Sequence, residues 1–352
     1  MDYFNTTFLT RVVQALYDPS TFLLRTYFPF VQTNPDKEEI AFDIDQSKPR
    51  ITPFVHPTVA GKVVKHEGFE TMTFKPAYVK DKREFNTRMA LKRVMGEQIA
   101  GNLTPEQRRE MLIAQTLDDQ LRMLTRRETV MASEVLRLGQ VTVSGDGYPA
   151  KVLDFKRDAG LTIALGAGSK WGDAGISPVD NLETWASLIL DKSGTAARVV
   201  TMDPKAYALA RADDKFQRML DRDAYRGQTQ LVDGPVTRAR GEAAARFVGM
   251  LGDLEIWVYN EPYIDDAGAQ QNVLPDFTVI MGATGADGSG AGGLEGTRAY
   301  GAIMDEEAAF KADRYFVKSW LENDPSVRWI LLQSAPLVFP YRPNASICVT
   351  VK

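Results

Sequence analysis

The stretch that decides the fold is TPEQRREMLIAQTLDDQLRMLTRRETVMASEVLRL, residues 104–138. Thr104 is placed to cap a helix, and Pro105 suits the first helical position, where a missing N–H costs nothing. Gln107 completes a Thr-x-x-Gln capping box. Ala114, Leu117, Leu121, Leu124, Met131, Val135 and Leu138 recur at three- and four-residue steps, interrupted only by Glu128. That spacing lays one apolar stripe along a helix. At 1.5 Å per residue the helix is about 50 Å long. Its other faces carry Arg108, Arg109, Asp118, Asp119, Arg122, Arg126, Arg127 and Glu134. The stripe suits packing on a sheet better than a coiled coil, and a helix this long needs a long partner surface.

Downstream, Val141-Thr-Val143-Ser-Gly145-Asp-Gly147 reads as a strand entering a hairpin, with Val152 to Phe155 returning. Ser177-Pro178 opens a second helix through Trp185 to Leu190. Val199-Val200 is a short buried strand, and Asp203-Pro204 opens a third helix running toward Leu220. From 248 to 281 the pattern is β, with Leu254-Glu-Ile256-Trp-Val258-Tyr, a turn at Asp265-Asp-Ala-Gly268, and Phe277 to Met281. Residues 282–301 are Gly-rich and read as a mobile loop. The tail from 325 alternates again and ends in Ile347-Cys-Val349-Thr-Val351. The class is α+β, with mostly antiparallel strands and a few helices.

Upstream, residues 1–50 carry small apolar clusters (Phe4, Phe8, Val12-Val13, Leu16, Phe22 to Leu24, Tyr27 to Phe30) separated by turns at Asp18-Pro19 and Asn34-Pro35. Such segments must bury their side chains against the rest of the chain or against a neighbouring subunit. Residues 51–93 alternate like strands: Val55, Val59 and Val63, then Met72 and Phe74, punctuated by Pro53, Pro57, Gly61, Gly68 and Pro76. The pattern predicts a long two-stranded excursion. It is basic, with Lys62, Lys65, Lys75, Lys80, Lys82, Arg83, Arg88, Lys92 and Arg93. A two-stranded ribbon is marginal alone in water, so this one reads as an interface arm.

Composition sets outer limits. The 352 residues, 44% hydrophobic and 25% charged, describe a folded chain of about two domains. Forty-two Lys and Arg against 46 Asp and Glu leave a net charge of −4, the wrong sign for a sequence-independent DNA binder. Cys348 is the single cysteine, which excludes a disulfide framework and a Cys-based zinc site. No run of 18 apolar residues exists to span a membrane, and Asp2 and Arg11 interrupt any signal-peptide core. The chain reads as soluble and not secreted.

The chemical motifs are weak. Gly288-Ser-Gly290-Ala-Gly-Gly293 satisfies G-x-G-x-x-G, but no helix start follows at Leu294-Glu295-Gly296-Thr297 to face a pyrophosphate. There is no phosphate-binding loop of the G-x-x-x-x-G-K-[ST] kind. His56 and His66, the only histidines, lie on the basic excursion, far from a triad or zinc-helix pattern. The acid pairs Asp118-Asp119, Asp213-Asp214, Asp265-Asp266 and Glu306-Glu307 fit solvated faces and turns. Cys348 sits in a predicted strand as a small core residue. The sequence therefore offers no catalytic constellation, no metal site and no cofactor site.

Several strings resemble the major capsid proteins of tailed bacteriophages, of the phage lambda type. Val55-His-Pro57-Thr-Val59-Ala-Gly61-Lys-Val63 and Phe74-Lys-Pro76-Ala-Tyr78-Val79-Lys80 are similar to that family's extended E-loop, continued by Asn86, Met89, Leu91 and Arg93. Asp203-Pro204-Lys205 with Ala208-Leu209 and Arg211 resembles its strand-to-helix junction. Gly252-Asp253, Val258-Tyr259 and Asn272-Val-Leu274-Pro275-Asp276 resemble the hairpin that follows. Arg298-Ala-Tyr300-Gly301-Ala-Ile303-Met-Asp305 and Gln333-Ser334-Ala335-Pro336-Leu337 are the most distinctive. The matches run in order over roughly residues 20 to 351, and their collinearity carries the weight.

The resemblance implies the Hong Kong 97-type capsid fold. Its expected parts are an N-terminal arm over 1–50, an E-loop over 51–93, a P-domain over 94–177 with the spine helix 104–138, an A-domain over 178–304, and P-domain return strands over 305–352. It implies a non-enzymatic head protein assembling with copies of itself into hexamers and pentamers of an icosahedral shell around packaged double-stranded DNA. The expected location is the virion capsid, assembled in the host bacterial cytoplasm. A small exterior decoration protein, and portal and scaffold proteins during assembly, are the other expected partners. The side chains expected at subunit contacts are Phe4, Phe8, Val12, Phe22, Tyr27, Phe30, Val55, Val59, Lys62, Val63, Lys65, Phe74, Tyr78 and Lys80. One departure stands out: the Gly-rich loop 282–297 is longer than the lambda-type equivalent. Some relatives join subunits by Lys–Asn bonds; the lambda type does not, and nothing here marks an acid for that reaction, so the resemblance implies purely non-covalent stabilisation. The rival readings are a non-viral nanocompartment shell of the same fold and an enzyme using the Gly-rich loop.

Overall fold

The long helix runs Pro105–Leu138 with both reciprocal capping-box bonds in place: Gln107 N–H donates to Thr104 Oγ1, and Thr104 N–H to the Gln107 side chain. This computed structural model describes residues 22–34, 37–45, 51–52, 54–58, 60, 70–86, 89, 91–92, 103–145, 148–219, 244–284, 293–324 and 327–352. At its other end the helix stops on Gly139, whose φ of 69° is the left-handed conformation a C-terminal cap needs. The Arg157 guanidinium closes that end by donating to the Leu136 and Arg137 carbonyls at 2.5 and 2.6 Å.

Two halves of the helix serve two different cores. The first half buries Ile113, Leu117, Leu121 and Leu124 against Phe85, Val317, Ile330 and Leu332. Those partners project from a three-stranded antiparallel sheet, Val79–Asn86, Val327–Ser334 and Phe316–Glu322, with Val327–Ser334 in the middle. The second half places Ala132, Val135 and Leu136 in the main core. The predicted stripe is buried at Leu117, Leu121, Leu124 and Val135 and half-buried at Ala114 and Met131, but Leu138 is 49% exposed, and Ile113, Ala132 and Leu136 complete the buried face; the surface it meets is a sheet.

The main core lies on one face of a six-stranded mixed sheet. Its order is Thr162–Ala164, Ser346–Thr350, Thr278–Gly282, Val199–Met202, Leu254–Tyr259, Ala245–Leu251. Period-two alternation divides its side chains. Val199, Trp257, Tyr259, Ile280 and Cys348 face the long helix and the N-terminal segment. Val200, Met202, Ile256, Val258, Val279 and Val349 face the helices Pro178–Ser193 and Pro204–Ala212 on the other side. The third helix stops at Ala212, short of the expected Leu220, because Asp213 breaks it and caps a separate turn, Asp214–Met219, through the Phe216 N–H.

A short N-terminal helix, Phe22–Tyr27, sits in the main core, with Phe22 tilted over Trp257 and the Tyr27 hydroxyl bonded to Thr201 Oγ1 at 2.9 Å. The chain then forms Phe30–Thr33, parallel to Thr297–Tyr300, which pairs with Pro336–Phe339. One sequence expectation is corrected. Met72 and Phe74 belong to Glu70–Phe74, which among the described residues pairs with Ile40–Ile44, and not with a strand through Val55. Phe42 of that arm strand stacks on Phe339 at 4.4 Å, so burial of the arm sets the pairing. Val79–Asn86 likewise belongs to the sheet under the long helix, where Phe85 is buried.

Candidate assembly surface

The residues that stand out are apolar and exposed. Ile51 and Phe54 have relative exposures of 92% and 103%, and Val55, Met89 and Leu91 are also exposed. Each large apolar side chain left in water forgoes about 1.5–3 kcal/mol of burial. Exposed apolar groups that recur in one stretch of sequence, 51–91, mark a candidate interaction surface.

Strand edges add to this. Val79–Asn86 and Phe316–Glu322 are the outer strands of their sheet, and Phe30–Thr33 is the outer strand of another, with Phe30 and Val31 exposed. Outer strands carry backbone groups able to pair with a further chain. On the outer face of the three-stranded sheet Lys82 lies 3.9 Å over the Trp329 ring and 5.2 Å from that of Trp320.

Beside the long helix runs a groove of about 830 Å³. Val130 and Met131 of the helix and Val143 of the neighbouring hairpin line it, with Tyr78, Met304 and Pro336 opposite. The Tyr78 hydroxyl accepts from the Met304 N–H and lies 3.3 Å from the Ala302 carbonyl, which locks the 302–304 segment to the excursion's return. At the rim, Arg127 pairs with Asp266 at 2.5 Å, Glu134 accepts from the Thr142 N–H, and Lys80 is exposed over the Tyr78 ring.

The expected contact residues divide three ways. Phe22 and Tyr27 are 4% and 1% exposed, covered by the chain's own sheet. In this chain both are packed intramolecularly, one of the two covers the sequence left open for the arm. Phe74 is half-buried against the main core, and Tyr78 is half-buried at the groove. Phe30, Val55 and Lys80 are exposed. Phe4, Phe8, Val12, Val59, Lys62, Val63 and Lys65 lie outside the described residues, as does His66. Sequence reading missed Ile51 and Phe54, although both lie in the excursion it singled out. It also missed the groove, whose walls come from segments far apart in the chain.

Chemically the surface is suited to association. His56 is exposed and bonded to Thr58. Most of Gly288–Gly293 lies outside the described residues, and Gly293 leads into a strand at Thr297–Tyr300, not a helix. Among the described residues no group of three His, Cys, Asp or Glu is placed to hold a metal, and no helix is long and apolar enough to cross a membrane. Cys348 is buried, and burial pushes its thiol up to about 11, away from thiolate chemistry. The strongest buried polar group is structural: Glu128, the residue that interrupts the helix stripe, is fully buried and gripped by Arg314 and Tyr300.

A chain with cores split along one long helix and apolar groups held out on an excursion is a subunit of a larger assembly, of the α+β, Hong Kong 97-type capsid class. Comparison with known proteins agrees. The crystal structure of a prophage-encoded protein of Escherichia coli CFT073, described as its capsid protein, superposes with a TM-score of 0.72 over 99% of each chain at 22% identity. The major capsid protein of Enterobacteria phage P21 is 30% identical over 319 residues, 90% of each chain. That of Escherichia phage lambda is 30% identical over 303 residues, 84% of each chain. The family described as phage major capsid protein E matches residues 5–351, and the chain belongs to it.

Proposed function

We propose that this capsid subunit assembles with copies of itself into hexamers and pentamers of a closed icosahedral shell around packaged double-stranded DNA, and that it does so without catalysing a reaction. The observation that carries this is the excursion: Ile51, Phe54, Val55, Met89 and Leu91 are exposed in the single chain. In this reading residues 1–50 are the arm, 51–93 the E-loop, 94–177 and 305–352 the P-domain, and 178–304 the A-domain. The parts of the arm and E-loop that the chain's own core leaves exposed, Phe30 and Val31 and then Ile51, Phe54, Val55, Met89 and Leu91, lie across neighbouring subunits, bury their apolar side chains there and extend neighbouring sheets. Each contact is modest after association costs. Repetition around a closed shell supplies the avidity. Lys80 and Lys82 meet acidic surfaces of neighbours and set register more than affinity. The net charge of −4 suits a container that holds DNA without gripping it. A small decoration protein binds the exterior, and portal and scaffold proteins join assembly in the host bacterial cytoplasm.

Electron microscopy of the purified full chain tests the reading. Closed particles are expected from the intact chain, and capsomers or free subunits from a chain lacking residues 1–20. A single species at monomer mass at high concentration, with no particles, overturns it.

A further inference from the structure

The loop between Tyr300 and Phe316 does something that packing within one chain does not explain. Ala309 and Phe310 both occupy the left-handed region, with φ of 50° and 55°. Neither is glycine, and each such residue costs about 1 kcal/mol or more. Yet the Phe310 ring that this strain positions is 50% exposed. The loop is firmly built. Ile303 N–H donates to Lys311 O at 3.1 Å, Ala309 N–H to Glu306 O at 3.0 Å, and Lys311 N–H to Ala308 O at 3.2 Å. Asp305 takes bonds from Lys318, Gln333 and the Glu307 N–H. Arg314 anchors the loop's end on Glu128. A rigid loop that spends strain to hold an aromatic ring in water is a preformed anchor of the kind found at the centre of protein interfaces.

We infer that Phe310 is a docking knob that enters the apolar groove beside the long helix of a second copy of this chain. This rests on the shell reading and names one of its contacts. The groove's walls, Val130, Met131, Val143 and Pro336, offer an apolar bed for a phenyl ring, and its volume of about 830 Å³ leaves room for the flanking loop. Glu38 at the groove is paired with Lys75 and Arg127 with Asp266, so the charges left there are Lys80 and Glu134, and an incoming acid is favoured on the Lys80 side. Glu306 stands exposed four residues before Phe310, and Lys80 stands exposed at the groove's rim; neither makes an ion pair among the described residues. Knob and groove are made of different residues, so a head-to-tail contact lets each copy offer one and receive the other. Such a contact generates rings when its rotation closes. Met304 of the knob loop also lines the groove. Each copy that receives a knob therefore receives it beside the loop that offers its own.

Assembly of the full chain by itself, followed by light scattering and electron microscopy, separates the two ideas. Phe310→Ala is expected to keep the thermal midpoint of the subunit and to raise the concentration needed for particles about tenfold or more. In a second arm, Phe310→Cys chains are mixed with Val143→Cys chains and oxidised. A cross-linked dimer is expected on a non-reducing gel from the mixture and from neither variant alone. Particles from Phe310→Ala at the wild-type concentration, or no cross-link in particles assembled from the mixture, overturn the knob while leaving the shell reading intact. Failure of the unaltered chain to form particles overturns the shell reading first.

Discussion

Arg314 grips Glu128 across 186 positions of sequence, its Nη2 2.8 Å from Oε2 and its Nε 3.2 Å from Oε1. The Tyr300 hydroxyl donates to Oε1 at 3.0 Å, and the same Nη2 reaches Thr125 Oγ1 at 2.9 Å. A fully buried carboxylate in mid-helix is thus tied to the loop that leads into the last strands. Above about pH 7, where Glu128 is ionised, breaking such a pair strands a buried charge, which costs about 3–5 kcal/mol, whereas an apolar pair of similar volume is close to neutral. Arg314→Met is expected to lower stability by that amount, and Glu128→Leu with Arg314→Met to recover most of it. Urea denaturation of the three chains checks this. An equal loss in the double variant would show that the carboxylate is not what the arginine serves.

The same cluster gives stability a pH dependence. Burial raises the Glu128 carboxyl to about 7, against the Tyr300 hydrogen bond and the positive charge of Arg298, which pull it down. Between its ordinary value of 4.5 and about 7, the folded chain holds a proton that the unfolded chain has released. Stability therefore falls as pH rises through that window. Asp305 behaves oppositely. Burial pushes it up, but bonds from Lys318, Gln333 and the Glu307 N–H outweigh burial and hold it below its ordinary value. Its contribution is present above the unfolded carboxyl's pKa and is lost as pH falls through the folded one. Urea midpoints across a pH series are expected to show a flatter slope between about pH 4.5 and 7 in Glu128→Gln, and a flatter acid limb in Asp305→Asn. A Gln variant with the wild-type slope would place the titrating group elsewhere.

Glu128 also shows where sequence reading stopped. Its position in the stripe was visible as an interruption, because helical spacing is local. Its partner was not, because nothing local ties residue 128 to residue 314. The same limit explains the arm. Phe22 and Tyr27 were legible as side chains needing cover, but whether the cover was Trp257 and Thr201 or a neighbouring subunit depended on tertiary placement. The strand pairing of Ile40–Ile44 with Glu70–Phe74 was missed for a related reason. Alternation reports that a strand exists and which face is apolar, not which strand it joins. The helix, its capping box and the C-terminal strands were legible because their signals lie within a few residues.

At Gly296 the described N-terminal segment lies tight against the rest of the chain. A Cβ there would lie 2.1 Å from the Tyr27 carbonyl oxygen and 2.4 Å from the Phe28 ring, and the Gly296 carbonyl accepts from the Phe30 N–H at 3.3 Å. Backbone cannot yield as a flexible side chain can. Gly296→Ala is expected to cost about 3 kcal/mol and to raise amide exchange across residues 22–30. Gly166→Ala, where a Cβ meets nothing within 4 Å, is the control, expected to stay within about 0.5 kcal/mol. Equal midpoints for the two would show that the N-terminal segment is free to move aside.

The two ends of the long helix differ in what they support, and so in how they fail. The Thr104 end is solvated, and its capping box satisfies donors that water reaches when the box is lost. Thr104→Ala is expected to cost about 1 kcal/mol, with faster amide exchange confined to the first turn. The Gly139 end enters the main core. A Cβ there would be forced into a φ of 69° and would lie 2.8 Å from the Arg157 Cβ. Moving Arg157 removes the donors that satisfy the Leu136 and Arg137 carbonyls, and no solvent replaces them easily beside Leu136, which is fully buried. Gly139→Ala is therefore expected to cost more than Thr104→Ala, about 2–3 kcal/mol, and to speed exchange throughout the main core. Hydrogen exchange of the two variants distinguishes them. Fraying limited to the last turn in Gly139→Ala would mean that the helix end and the six-stranded sheet are not coupled through Arg157.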